Sequence, residues 1–389
     1  SDLINLSRKI NGQPITVEKI VVEENALQEV PEFIKLKDYK NSIIVVDHHT
    51  DQVAGKRLGN LLDDVNISYK IHQLSEDEHQ QVVADEQTLV ELFLAVENET
   101  DVLIAVGSGT IHDIVRFVSA KMNKPFISIP TAASVDGFTS KGAPLIIKGV
   151  KQTVQAASPI AIFADITILI AAPSEMTAAG FGDILGKYTS LVDWKISQLI
   201  GEEPYFEEAA EMTRRSLEAC VTHVDEIAAK DAKGIKLLME ALIESGLVML
   251  VLDYSRPASG GEHHLSHYWE MDLLKKNARQ LLHGAKVGVA TTLISNLYKK
   301  KVREVRREQL KNLDTKYGAK LYEHWPEIVS LIESLPSPEH LQSLLKKMGG
   351  PTSPEALGIE ESVVQASLKE AHHLRPRCTG LLLINESGC

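Results

Sequence analysis

The sequence predicts an α/β N-terminal domain over residues 1–173, built on a mainly parallel sheet, followed by an all-α C-terminal domain over residues 174–389. Three observations predict it. Short β-branched runs, NSIIVVD (41–47), VLIAVG (102–107), PFISIP (125–130) and IAIFADITILI (160–170), alternate with polar segments of helical period, the pattern of βα units. After Pro173 the texture changes: Ser174 can cap a helix, and helical periods run over 206–228, 232–254 and 284–312. Finally, Gly107, Ser108 and Gly109 join an apolar run to a helical segment, as a strand-to-helix turn requires.

A chain of 389 residues is long enough for two domains with cores of their own. Hydrophobic residues make up 44% and charged residues 24%, which argues for a globular enzyme rather than a disordered or fibrous chain. The formal net charge of −12 excludes general affinity for nucleic acid or an anionic membrane, since both depend on a positive surface field. Any anionic substrate must therefore meet locally placed cations. The basic stretch Lys299, Lys300, Lys301, Arg303, Arg306 and Arg307 is interleaved with Glu304 and Glu308 and reads as a solvated helix face. Cys220, Cys378 and Cys389 are widely spaced and odd in number, so neither a disulfide framework nor a zinc knuckle is expected. The opening SDLINLSRKI has no apolar signal core, and the apolar stretch 160–172 is too short to span a membrane. The expected location is the cytoplasm.

The glycine loop is the first feature that points to a ligand. Glycines let the backbone approach a pyrophosphate closely, and the free amides of the following helix favour its charge. Strand–Gly–helix turns also occur for steric reasons alone. Asp47 ends an apolar run, where a carboxylate can bind an adenosine ribose, but it lies 60 positions before Gly107. The ordinary dinucleotide fingerprint has the acid about 20 residues after the glycines. A plain turn residue before His48 and His49 is the other reading. A second loop, IPTAASVDGFTS (129–140), is crowded with small hydroxyl residues suited to phosphate oxygens or a carboxamide. Asp136 before Gly137 can equally be a turn former.

Further along, His263 and His267 in GEHHLSHYWE are four apart and share one face of a helix. His283 precedes a glycine at an expected helix entry, and Asp183, expected to begin a helix, is followed at i+4 by Lys187. Carboxylate and imidazole ligands with one open position are what catalytic zinc and its chemical neighbours require. A helix salt pair between Asp183 and Lys187, and a solvent-facing His264, are the bland alternatives.

Taken in order, the strand-end Asp47, GSGTIHD, PTAASVDGFTS, GFGDILGK, SGGEHHLSH and LHGAKVG resemble the polyol-dehydrogenase branch of the iron-alcohol-dehydrogenase and dehydroquinate-synthase superfamily. The resemblance implies a dehydroquinate-synthase-like fold; with a boundary near residue 173, the cleft between the two expected domains is the default place for the active site. It implies NAD(H) or NADP(H) contacts from Asp47, from Gly109, Thr110, Ile111, His112 and Asp113, from Thr131, Ala132, Ala133 and Ser134, and from Ser140. Substrate contacts would be Asp136, Asp183 and His267, with Asp183 and His267 catalytic. The ligands of one divalent metal, nickel or zinc before iron, would be Asp183, His263 and His283. His263 is preferred to His264 by alignment with the family's EHxxSH pattern. Lys187 stands where the longer iron alcohol dehydrogenases carry a fourth ligand, His. The EHHLSH segment and its SRPASGG lead-in favour the members that act on phosphorylated polyols. That implies reversible reduction of dihydroxyacetone phosphate to glycerol 1-phosphate, with glycerol dehydrogenase and a dehydroquinate-synthase-like lyase as alternatives. Lys187, Arg256 and Lys141 are candidates to hold the phosphate. Relatives imply a homodimer.

Overall fold

The computed structural model describes residues 2–10, 12 and 14–388. Contacts divide the chain into two compact units, one of residues 1–177 with 225–253 and one of residues 178–224 with 254–389.

The first unit carries β1 (Lys19–Glu23), β2 (Asn41–Val46), β3 (Ser68–Gln73), β4 (Val102–Gly107), β5 (Phe126–Pro130), β6 (Gly142–Ile147), β7 (Val150–Gln155) and β8 (Ala161–Asp165). Six of these form one sheet in the order β1-β8-β5-β4-β2-β3, and every neighbouring pair is parallel. Strand periodicity supplies two cores. Ile44, Val46, Ile104, Val106, Ile127 and Ile129 pack on one face with Phe33, Leu58 and Leu62. Ile43, Val45, Leu103, Ala105 and Phe126 pack on the other with Ile111, Ile114, Val115 and Val118 of the Gly109–Lys121 helix. Strands buried on both faces read as continuous apolar runs, which is why β2, β4, β5 and β8 are visible in the sequence. The edge strands differ: β1 has only the short apolar run Ile20–Val22, with Ile20 exposed, and β3 has no fully buried residue and a single isoleucine, Ile71, which is exposed. The expected run 160–170 is corrected: the strand stops at Asp165, whose carboxylate accepts from Thr167 N at 3.0 Å and caps the Ile166–Ile170 helix. The same side chain accepts from Asn25 N and Leu27 N, each at 3.1 Å. β6 and β7 form a separate antiparallel hairpin. The Ala232–Leu252 helix also belongs to this unit.

Every described element after Pro173 is helical, as the fold class predicts. The second unit is cored by Val192, Ile196, Leu265, Trp269, Val289, Ile294 and Tyr298, from the helices Lys187–Gly201, Gly261–Lys275 and His283–Glu304. Two expected helices are shorter than their periods. The 206–228 segment breaks at His223. The 284–312 segment stops at Glu304, because Val305 and Arg306 are extended before the Arg307–Lys311 helix. Cys220 and Cys378 are buried free thiols; Cys389 lies outside the described residues. Among the described residues no helix is long and apolar enough to cross a membrane.

Candidate active site

The second unit brings Asp183, His263 and His283 together. Asp183 lies near the end of the Ser174–Leu185 helix rather than at the start of one, and Gly186 separates it from Lys187, the first residue of the next helix. His263 is the third residue of its helix and His283 the first of its own. What aligns Asp183 with His283 is an approach of two helix backbones. A Cβ on Gly284 would overlap the carbonyl oxygen of Ala179, and one on Gly182 would overlap that of Gly284. Glycine is the residue that permits such contact.

Asp183 Oδ1 lies 3.5 Å from His263 Nε2 and 3.4 Å from His283 Nε2, and one donor atom from each of the three residues falls within 4.8 Å of the others. Donors about 2.0–2.2 Å from a tetrahedral cation are separated by about 3.3–3.6 Å. The observed spacings match that edge and exceed an ordinary hydrogen bond, so the residues fit a metal. A carboxylate with two imidazoles suits zinc, nickel or iron and leaves a coordination position open. Among the described residues the other such group, His372, His373 and Glu386, has two of its three members exposed.

The surroundings hold these side chains in place. Glu262, fully buried, accepts from His263 Nδ1 at 2.8 Å, from the backbone N of Gly260 and His263 at 2.6 and 2.9 Å, and from Thr189 Oγ1 at 2.5 Å. Burial opposes charge on Asp183, yet the His283 and His263 imidazoles hold its carboxyl well below the usual range. Burial also opposes a charged His263, but Asp183 and Glu262 outweigh it and raise its pKa to about 9. Behind Glu262, Asp193 accepts from Gly261 N at 2.7 Å, Gly380 N at 2.8 Å and Tyr298 Oη at 2.8 Å. Burial and the Glu262 charge nevertheless push the Asp193 carboxyl up to about 7. His264 belongs to neither metal group. It is 1% exposed, both ring nitrogens lack a hydrogen-bond partner, and burial, helped by Arg377 and Arg375, keeps its pKa well below the usual range. His267 lies one turn beyond His263 on the same helix and is partly exposed.

In the first unit the predicted cofactor residues gather at the carboxyl ends of adjacent strands. Val45 pairs with Ala105 and Gly107 with Pro130, so Asp47, the glycine loop and Thr131 end β2, β4 and β5 side by side. β2 is followed outward by β3 while β4 lies on its other side. This is a topological switch point, where open α/β sheets bind ligands. The strand order thus removes the difficulty that Asp47 precedes the glycines in sequence. Asp47 caps the next turn, accepting from Thr50 N at 2.8 Å, as the turn reading has it. Ser108 is the N-cap of the Gly109–Lys121 helix without a side-chain cap bond. Gly109, Thr110 and Ile111 form the first turn there. The side chains of the next two residues face inward. His112, 1% exposed, bonds Ser108 O at 2.8 Å and Ser128 Oγ at 2.7 Å, and burial drives its pKa down to about 3. Asp113 pairs with buried Arg116 at 3.0 Å. Arg116 also donates to Gly137 O at 2.8 Å and Phe138 O at 2.9 Å, which pins the second loop. Within that loop Ala132, Ala133 and Ser134 are buried, Ser140 Oγ donates to Gly137 O at 3.1 Å, and Asp136 accepts from Ser245 Oγ at 2.8 Å.

The sequence-based cations are engaged or enclosed. Lys141 pairs with Asp253, Arg256 lies 3.3 Å from Glu203, and Lys187 is fully buried. Glu262, Thr189 and Asp193, which support the constellation, were missed. Only Glu262 carried a local signal, an acid beside a candidate ligand; the others come from distant segments.

An iron-containing alcohol dehydrogenase family model matches residues 21–173. The chain is 48% identical to the glycerol-1-phosphate dehydrogenase [NAD(P)+] of Bacillus licheniformis, over 100% of this chain and 96% of the relative. It is 45% identical to that of Geobacillus thermodenitrificans, over 99% and 97%. Among solved structures, a probable glycerol dehydrogenase from Sinorhizobium meliloti superposes with a TM-score of 0.67 at 17% identity, over 92% of this chain and 90% of that one. That likeness shows the fold. The match to the two bacterial relatives, spanning nearly the whole of each chain, shows that the chain belongs to the glycerol-1-phosphate dehydrogenase family.

Proposed function

We propose that this protein uses NAD(P)H and one divalent metal to reduce dihydroxyacetone phosphate reversibly to sn-glycerol 1-phosphate. The observation that carries the reading is the Asp183–His263–His283 constellation in a chain with full-length relatives of that name. Asp183, His263 and His283 would hold the metal, which when bound acts as a Lewis acid toward the C2 oxygen of the substrate. Glu262 keeps Nδ1 of His263 protonated and Nε2 available as a donor. Asp183 also orients the substrate hydroxyl groups. When bound, the nicotinamide would supply hydride to C2, and His267 would deliver a proton to the C2 oxygen directly or through water. Asp47, the 109–113 turn and the 131–134 segment with Ser140, at the strand ends of the first unit, would hold the pyridine nucleotide. Asp136 contacts substrate. Nickel or zinc is the metal, the assembly is a homodimer, and the protein works in the cytoplasm as an α/β nucleotide domain (1–173) and a helical metal domain (174–389) from which the 225–253 segment packs with the first unit.

The test is an NAD(P)H oxidation assay on metal-free protein, comparing dihydroxyacetone phosphate with dihydroxyacetone, each with nickel, zinc or iron restored. Rapid oxidation with the phosphate ester and a restored metal is expected. Equal use of dihydroxyacetone would instead favour a glycerol dehydrogenase, and phosphate release without net oxidation would favour a lyase.

A further inference from the structure

A chain of net charge −12 that takes a phosphorylated substrate must gather cations locally, and the second unit does so on one short segment. Arg375, Pro376 and Arg377 form a tight turn in which Arg377 N donates to Arg375 O at 2.9 Å. Arg377 Nη1 donates to Ser259 O at 2.9 Å and Nη2 to Ser255 Oγ at 2.7 Å, so it grips both ends of the loop that carries Arg256. That loop runs through Gly260 into the helix of His263. Glu203 ties the parts together, meeting Arg256 at 3.3 Å and accepting from Cys378 N at 3.4 Å. Arg377 and Arg375 also lie close to His264, the neighbour of His263.

Three guanidinium groups crowd together here, with Glu203 and Glu262 as the nearby acids. Both bonds of Arg377 go to neutral oxygens and occupy two of a guanidinium's five N–H donors. Burial, with Arg375 and Arg256 as like charges, pushes Arg377 down to about 9, against the opposing pull of Glu203 and Glu262, and burial lowers Arg375 too. A guanidinium keeps its proton, so an anion placed beside these groups would offset the cost of burying their charge. Planar N–H forks match a phosphate in shape and charge.

We propose that Arg377 and Arg375, with Arg256 beside them, form the subsite for the phosphate of the substrate. This deepens the functional reading above and rests on it. The substrate is favoured over the cofactor as the source of the phosphate because the cluster belongs to the same unit as the metal constellation, whereas the nucleotide loops belong to the other.

The experiment compares kcat/KM for dihydroxyacetone phosphate and dihydroxyacetone in the metal-loaded wild type and in Arg377→Met, Arg375→Met and Arg377→Lys. Each methionine variant is expected to lower the preference for the phosphate ester at least tenfold, mainly through KM, and Arg377→Lys to recover part of it. Inorganic phosphate should compete with the ester in the wild type and lose that effect in Arg377→Met. Equal losses on both substrates would mean a structural role and overturn the proposal, as would a changed NADPH/NADH preference with the substrate preference intact. If the wild type leaves dihydroxyacetone phosphate unreduced, the functional reading falls by itself. The anion site then stands if inorganic phosphate raises the melting temperature of the wild type but not of Arg377→Met, and falls if it does neither.

Discussion

Glu262 accepts a hydrogen bond from Nδ1 of the adjacent His263 at 2.8 Å, which leaves Nε2 of the same ring facing Asp183 at 3.5 Å. A ligand imidazole held by a buried carboxylate is fixed in tautomer and orientation, and loss of such a partner typically weakens metal binding 10–100-fold. Glu262→Gln should therefore lower metal affinity by about that factor, measured by competition with a chelator. Unchanged affinity would remove Glu262 from the metal's support.

His283→Ala deletes a donor at the first residue of its helix. If a Lewis acid supplies several kcal/mol in the transition state, at roughly tenfold per 1.4 kcal/mol, reduction should fall by about three orders of magnitude. Metal content after gel filtration should fall with it. Full activity after chelator treatment would end the metal mechanism.

Gly284→Ala should act on the same centre without touching a ligand. The added Cβ overlaps the Ala179 carbonyl oxygen, so the two helices must part and carry His283 away from Asp183. The expected result is weakened metal binding together with a lower melting temperature; a destabilised variant with native metal affinity would break the link between the glycine contact and the ligand spacing.

Asp47 combines a cap with a proposed ribose contact. Asp47→Ala should cost about 1 kcal/mol of stability through the lost cap bond to Thr50 N. It should also raise KM for NADH more than for NADPH, since a carboxylate repels the 2′-phosphate. Equal increases for both would take Asp47 out of the cofactor site.

Asp193 predicts a pH dependence. Burial and the Glu262 charge place its folded pKa at about 7, above the ordinary value of 3.8. Between those limits the folded state binds the proton that the unfolded state has released, so this group makes stability fall as pH rises from about 4 to about 7. Urea midpoints of wild type and Asp193→Asn across that window should show the asparagine variant lacking this downward component, whatever its absolute stability. Parallel profiles would show that Asp193 ionises normally.

Much of the architecture was legible in the chain. β2, β4, β5 and β8 are buried on both faces, so they read as apolar runs, and the switch to helical period after Pro173 marked the helical region. The edge strands β1 and β3 were not legible, because β1 offers only three consecutive apolar residues and β3, with no fully buried residue, offers one isoleucine among polar side chains. Nor was the end of β8, where Asp165 closes the strand by capping a helix that is itself apolar.

By itself, then, the sequence determined the fold class and the chemical types at the site: glycine turns, strand-end acids, and the Asp and His residues of the metal constellation. The turns and strand-end acids follow from local periodicity and composition, whereas the choice of Asp183, His263 and His283 came from the resemblance carried by the ordered motifs. The tertiary structure alone decided which of them meet. The order β5-β4-β2 sets Asp47 beside a glycine loop 60 positions later, the Gly182 and Gly284 contact sets the spacing of Asp183 and His283, and Arg377 reaches back to Ser255 and Ser259. Strand order, backbone approach and long-range hydrogen bonds depend on the packing of segments far apart in the chain, and neither period nor spacing records that packing.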